Sequence, residues 1–203
     1  LSWQATAMRV HVVYAHPVVH SFNAALHDCI VTTLLNAGHE VDDLDLYAEG
    51  FDPVLSTAER VRYQTAGANL SGVEAYVRRL RAAEGLVICA PSWWSGMPAI
   101  LKGYFDRVWV PGVAFEMGGS SSGIRPLLTN IRKLVVVTTH GSPHWFVTLV
   151  MRNPGKVVLM RGIRPLLAPR ARRIYLALYR MDTAPAAARA RFLARVQRTF
   201  AAF

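Results

Sequence analysis

Residues Gly85-Leu86-Val87-Ile88-Cys89-Ala90 run straight into Pro91-Ser92-Trp93-Trp94-Ser95-Gly96-Met97-Pro98, and that junction decides the class of fold. The first six are apolar without alternation, the pattern of a strand covered on both faces, as in a parallel sheet. Two adjacent tryptophans and a Gly-x-Pro then end it. Consecutive side chains diverge, so at least one indole faces a pocket or solvent. The competing reading, in which both tryptophans seal the end of the sheet, stays open. Pro98 suits the first turn of a helix read from Pro98 to Val110.

Working outward, runs of the same kind recur at Val10–Ala15 and Leu134–Thr139. Val41–Leu46 alternates acidic and apolar residues and so reads as an edge strand, and Ile174–Tyr179 follows a basic turn. Helical patterns lie between and after them, at Phe22–Asn36 with Gly38 as its cap, Val73–Ala83, Pro98–Val110, Pro154–Leu167 and Ala184–Phe200. Strands alternating with helices predict right-handed crossovers and an α/β, doubly wound five-stranded parallel sheet with helices on both faces. Ligands in such sheets bind beyond the carboxyl ends of the strands, so the loops after Ala15, Ala90 and Thr139 are the ones to inspect. With no internal repeat and no low-complexity linker, residues 8–203 read as one domain. Leu1–Ala7 lacks the basic start and apolar stretch of a signal peptide and reads as an upstream extension or cloning remnant, with Met8 as a natural start.

The composition, 52% apolar and 18% charged, is globular, and no apolar run has the length of a membrane helix. Cys29 and Cys89 fall in apolar patterns without metal-ligand spacing, so they read as buried free thiols of a cytoplasmic protein, and no metal site is expected. The net charge of +10 is uneven: beyond Arg152 come Lys156, Arg161, Arg164, Arg170, Arg172, Arg173, Arg180, Arg189, Arg191, Arg195 and Arg198 against a lone Asp182. This reads first as a solvated face with no nucleic-acid role. An anionic surface or a phosphorylated cofactor would also suit it.

The first loop, His16-Pro17-Val18-Val19-His20-Ser21-Phe22-Asn23, opens a helix and so offers backbone N–H groups to an anion; the competing reading makes Ser21 or Asn23 a plain N-cap. It contains neither GxGxxG nor GxxxxGK[ST], which argues against an ordinary dinucleotide-binding dehydrogenase and a nucleotide triphosphatase. The third loop, Thr138-Thr139-His140-Gly141-Ser142-Pro143-His144-Trp145, supplies hydroxyls, backbone donors and two imidazoles. His144 is the candidate proton donor there, set against the reading of a loop histidine without a chemical role.

Three motifs carry a resemblance: AHPVVHSFN at Ala15–Asn23, DLYAEGFDPVLS at Asp45–Ser56, and APSWWSGMPAILKGYFDRVWVPGVAF at Ala90–Phe115. Together they resemble the flavodoxin-like NAD(P)H dehydrogenase (quinone) family, over about Arg9 to Thr139. The resemblance implies a flavodoxin-like sheet with a flavin at its carboxyl edge, FAD rather than FMN. It also implies hydride delivery from NAD(P)H and ping-pong, two-electron reduction of a quinone or related small acceptor. His16, Ser21, Phe22, Asn23 and Ala25 would hold the phosphates and adenosine end. Pro91, Ser92, Trp93 and Trp94 would line the isoalloxazine, with Ser95 and Gly96 completing the turn, and Thr138, Thr139 and Gly141 would contact its pyrimidine side. It further implies a homodimer whose partner completes the site, with Phe115 near that boundary or simply in the core. An alternative role within the same resemblance is a flavin-binding regulatory subunit that docks on a membrane transporter.

After Thr139 the chain departs from the family pattern. His140 stands where a glycine is expected, and Phe146 stands at the position of a relay tyrosine. A histidine position falls on Arg152. The usual charge relay is therefore absent, or rebuilt from His144 or Arg152, which weakens the quinone assignment more than the flavin.

Overall fold

The computed structural model describes residues 7–117 and 123–203, so the reading of Leu1–Ala7 lies, Ala7 apart, outside the described residues. Among these residues seven strands form in chain order: β1 (Arg9–Tyr14), β2 (Glu40–Asp45), β3 (Gly85–Pro91), β4 (Phe115–Met117), β5 (Ile124–Pro126), β6 (Lys133–His140) and β7 (Arg172–Tyr179). Five of them make a parallel sheet in the order β2-β1-β3-β6-β7, while β4 and β5 pair as a small antiparallel ribbon. The six α-helices are α1 (Phe22–Asn36), α2 (Thr57–Arg62), α3 (Glu74–Ala82), α4 (Ala99–Val108), α5 (Pro154–Val157) and α6 (Ala186–Ala201).

The unalternating apolar runs have a simple cause. Val87 and Cys89 of β3 pack with Leu26 and Ile30 of α1 and Val196 and Phe200 of α6 in one core layer. Leu86 and Ile88 pack on the other face with Leu80 of α3 and Leu101 and Tyr104 of α4. Each face of the central strands is covered, so each residue is apolar whichever way it points. Full burial of each such side chain contributes roughly 1.5–3 kcal/mol. β2 forms one edge of the sheet, with Leu44 buried and its other residues exposed or half-buried, which explains its acidic alternation.

The chain leaves β1 for β2 on one side, then crosses back to β3 on the other. That reversal is the switch point, where diverging loops leave a crevice at the carboxyl ends of β1 and β3. Gly38 follows α1 at φ 83°, its N–H bonded to the Leu35 carbonyl at 3.0 Å. Pro98 is the N-cap residue of α4 instead of its first turn.

Two expectations need correction. The helix read over Pro154–Leu167 is a succession of short turns: α5, a π turn at Val158–Gly162 and a 3-10 turn at Arg164–Leu166. Gly155, Gly162 and Pro165 keep any one pitch from propagating. Cys89 is buried, but Cys29 is only half-buried, because it lies at the margin of the buried stripe of α1. Both thiols are free, and burial pushes them up from their ordinary titration range. No helix among the described residues is long and apolar enough to cross a membrane.

Candidate active site

The loops after β1, β3 and β6 close on one cavity of about 1150 Å³. His16, Ser21, Phe22, Asn23, Pro91, Ser92, Trp93, Trp94, Ser95, Thr139 and Gly141 line it, which gathers most of the residues singled out in the sequence.

One wall is the start of α1. Ser21 caps it, its Oγ accepting from the Ala24 N–H at 3.1 Å. The N–H groups of Phe22 and Asn23 find no protein acceptor among the described residues, so they remain available to an anion, which the helix dipole also favours. Asn23 is 5% exposed and acts differently from Ser21. It donates from Nδ2 to Thr139 Oγ1 at 3.1 Å, pinning α1 to β6, while its buried Oδ1 has no partner.

The second wall is a tight turn. Trp93 and Gly96 exchange backbone hydrogen bonds of 3.2 and 2.9 Å, and Trp94 and Ser95 between them sit at φ 50° and 60°. Left-handed backbone costs a residue with a side chain roughly 1–2 kcal/mol. In return the Trp94 and Ser95 N–H groups are left without protein acceptors among the described residues, at the lip of the cavity. Trp94 is fully exposed and Trp93 40% exposed, so neither indole seals the sheet.

The third wall departs from expectation. His140, Ser142, Phe146, Val147, Met151, Met181 and Asp182 join Thr139 and Gly141 in lining the cavity. Phe146 and Val147 arrive on a π turn, Phe146–Val150, and Met181 and Asp182 on a 3-10 turn after β7. A side chain at Gly141 would meet Asp182 Oδ2 at 2.6 Å, so the one acid of this basic region is seated against that glycine. Its isolation in the sequence was the available signal; Met181 gave none.

His140 is 4% exposed, and desolvation by burial lowers its pKa to about 4, so the ring is neutral at neutral pH. Its Nε2 lies 3.1 Å from the Tyr175 hydroxyl, and its ring stacks on Tyr179 with centroids 4.9 Å apart.

Four expected residues lie elsewhere. Ala25 is exposed one step along α1, facing away from the cavity. Thr138 and Gly96 line an adjoining void of about 20 Å³, room for one water, which shares Pro91, Ser92 and His140 with the cavity; side chains alternate along β6, so Thr138 faces away from Thr139. His144 is exposed, its ring edge-on to Tyr179 at 4.7 Å, outside the cavity lining. Arg152 is also exposed, and Phe115 packs against the core.

With the sheet order and the converging loops in view, residues 8–153 match the family model described as flavodoxin-like fold. The chain belongs to the flavodoxin-like fold family. Within this family it is 32% identical to NAD(P)H dehydrogenase (quinone) 1 of Rattus norvegicus over 150 residues, 66% of this chain and 54% of that protein. It is 33% identical to ribosyldihydronicotinamide dehydrogenase (quinone) of Homo sapiens over 160 residues, 68% of this chain and 66% of that protein. The matches thus span between about half and two thirds of these relatives' length. Among solved structures, NAD(P)H:quinone oxidoreductase of Methanothermobacter marburgensis is 28% identical with a TM-score of 0.82, covering 97% of this chain and 96% of that one.

Proposed function

We propose that residues 8–203 form one domain that acts as a flavin-dependent NAD(P)H oxidoreductase, reducing quinones or related small acceptors by two electrons with FAD as its flavin. The observation that carries this reading is the convergence, on one cavity of about 1150 Å³, of the open start of α1, the strained Trp93–Gly96 turn and the end of β6. Ordinary ligand pockets enclose about 300–1,000 Å³, so the space suits a planar ring with a phosphate-bearing chain and a second ring above it. The donor chemistry fits as well. Phe22 and Asn23 present N–H groups where phosphate would lie, and Trp94 and Ser95 present theirs at the lip, where ring carbonyls and nitrogens would lie.

A flavin held there would supply the two-electron redox chemistry that links a nicotinamide donor to a quinone acceptor. The chain's own part is positioning and polarising. The Trp93–Gly96 turn orients its two free N–H groups before any ligand arrives, so no reorganisation is needed when charge develops. Phe146, Val147, Met151 and Met181 supply apolar wall, which displaces water from the space where donor and acceptor rings would alternate.

Two finer points belong to the proposal. Trp94 and Met151 line the cavity and are exposed, and Trp145, Leu149 and Val150 are exposed large apolar side chains on the turn that carries Phe146 and Val147 to it, an area that a second copy of the chain would cover in a homodimer. The free Cys29 and Cys89 suit a reducing cytoplasm.

The test is an ultraviolet–visible spectrum of desalted protein, repeated anaerobically after adding NADH or NADPH. Flavin bands that bleach with the nicotinamide support the reading. Protein that takes up neither FAD nor FMN overturns it.

A further inference from the structure

We propose that His140 is a neutral hydrogen-bond donor to the cavity, fixed in that tautomer by Tyr175, and that it stabilises the negative charge arising on the ring reduced there. The inference rests on the flavin reading above. It concerns two residues that the three motifs of the sequence did not bring together.

Tyr175 and Tyr179 lie four residues apart on β7 and so share a face of the edge strand; His140, the last residue of β6, is in register with Tyr179. Tyr179 stacks flat on the His140 ring, and the Tyr175 hydroxyl meets Nε2 at 3.1 Å. Asn153 decides which way that hydrogen bond runs. Its Oδ1 accepts from the Lys156 N–H at 3.3 Å, and its Nδ2, buried without a hydrogen bond, is left on the side of the Tyr175 and Tyr179 phenols. An amide nitrogen donates and cannot accept the phenol's proton. Among the described residues this leaves Nε2 as the acceptor for Tyr175 O–H.

A neutral imidazole carries one ring proton, so accepting at Nε2 places it on Nδ1. Nδ1 has no protein partner among the described residues and is not among the fully buried unpartnered atoms; the ring lines the large cavity and also the small void that Tyr175 and Thr138 border. The groups facing the ring are Tyr175 and Tyr179 on β7, with Asp182 seated by the adjacent Gly141 and His144 beyond Tyr179. Burial holds the ring uncharged and pushes Tyr175 up from its ordinary range, so neither gives up its proton near neutral pH.

A hydride brings two electrons and one proton from the nicotinamide, which is oxidised in the same step, so the accepting ring gains one negative charge. A fixed neutral donor in a dry pocket stabilises that charge without ionising itself. His140 is then the residue that touches the charge, and Tyr175 is a positioning residue.

The experiment uses FAD-reconstituted protein and two readouts other than turnover. Nitrogen-15 NMR of the His140 ring should show a protonated Nδ1 and an accepting Nε2 in the wild type, with the other tautomer appearing in Tyr175→Phe. In His140→Phe, and in the milder His140→Gln should the first fail to fold, oxidised FAD should bind within about threefold of wild type. The reduced form should bind about tenfold more weakly, the size expected for losing one charge-assisted hydrogen bond. That tenfold lowers the two-electron potential by about 30 mV. A protonated Nε2 in the wild type, or flavin that stays bound with an unmoved potential, overturns the proposal alone. Protein that holds neither FAD nor FMN overturns the flavin reading and the proposal together.

Discussion

The backbone N–H of Gly155 donates to the carbonyl of Ser95 at 3.2 Å, joining two loops that each hold a pair of residues in left-handed backbone. Trp94 and Ser95 form one pair, at φ 50° and 60°, and Arg152 and Asn153 the other, at φ 54° and 46°. Four such residues together cost several kcal/mol, of order 1–2 each, so the surrounding structure must over-determine them. The bond shows how: each strained loop braces the other at the cavity lip. Asn153, in the second of these loops, is also the residue whose buried amide lies beside the Tyr175 and Tyr179 phenols.

Ser95→Gly removes strain at one of these positions while making the unfolded chain more flexible. The relief exceeds the entropy, so a net gain of roughly 0.5–1 kcal/mol is expected. Calorimetry should show Tm rising by about 1–4 °C in a chain of this size.

Gly103→Ala in α4 should act in the opposite direction. In an open helix the change gains roughly 1 kcal/mol. Here the new Cβ would lie 2.3 Å from both the Cα and the carbonyl oxygen of Pro53, and backbone cannot swing aside as a side chain can. Overpacking wins, with a loss of about 2 kcal/mol or more read from denaturant midpoints.

Asn23→Ala breaks the bond to Thr139 Oγ1 at a buried site and should cost about 1–3 kcal/mol. Ser21→Ala removes the cap of α1 for about 1 kcal/mol. Together they should weaken flavin retention at least tenfold in equilibrium dialysis. Full occupancy in the double variant would remove both residues from the cofactor site.

Stability should rise with pH across the histidine range. His140 has a folded pKa of about 4 against about 6.5 unfolded, so between those values the unfolded chain binds a proton that the folded chain refuses. Folding is weakened progressively as pH falls through that window, by at most about 3 kcal/mol. His140→Gln should flatten urea midpoints there. Asp42 works in a lower window. Burial disfavours its charge, but His11, whose Nδ1 lies 2.8 Å away, and the Arg79 guanidinium outweigh burial and hold it below the usual carboxylate range. Its contribution is present above about pH 4 and lost only as pH falls through that depressed value.

His144→Ala should leave the acceptor half-reaction unchanged between about pH 5 and 9, the span over which a shifted histidine titrates. The side chain lies outside the cavity against Tyr179. A pH-dependent loss measured by stopped flow would restore it as proton donor.

His16, Ser21 and Asn23, the Trp93–Gly96 turn and Thr139 were legible because each lies within a few residues of a strand end. Ala25 and Thr138 were misplaced by helical and strand periodicity: the one faces solvent, and the other points through the sheet to its opposite face. Phe146 was marked only for lacking a hydroxyl, yet it is apolar wall, because a π turn carries it back over the β6 loop.

What the sequence determined by itself is the sheet and its ligand edge, since apolar runs without alternation are sustainable only where both faces are buried. Helix starts, the α1 cap and the strained tryptophan turn are local as well, set by residues three or four apart. Tertiary structure alone decided the lower half of the site. His140 meets Tyr175 across 35 positions of chain, and Asp182 reaches Gly141 only once β7 is laid beside β6. Such pairings depend on strand register and on how much water burial removes. Neither is written in any window of the chain, and together they fix how deeply His140 is buried and what its ring faces.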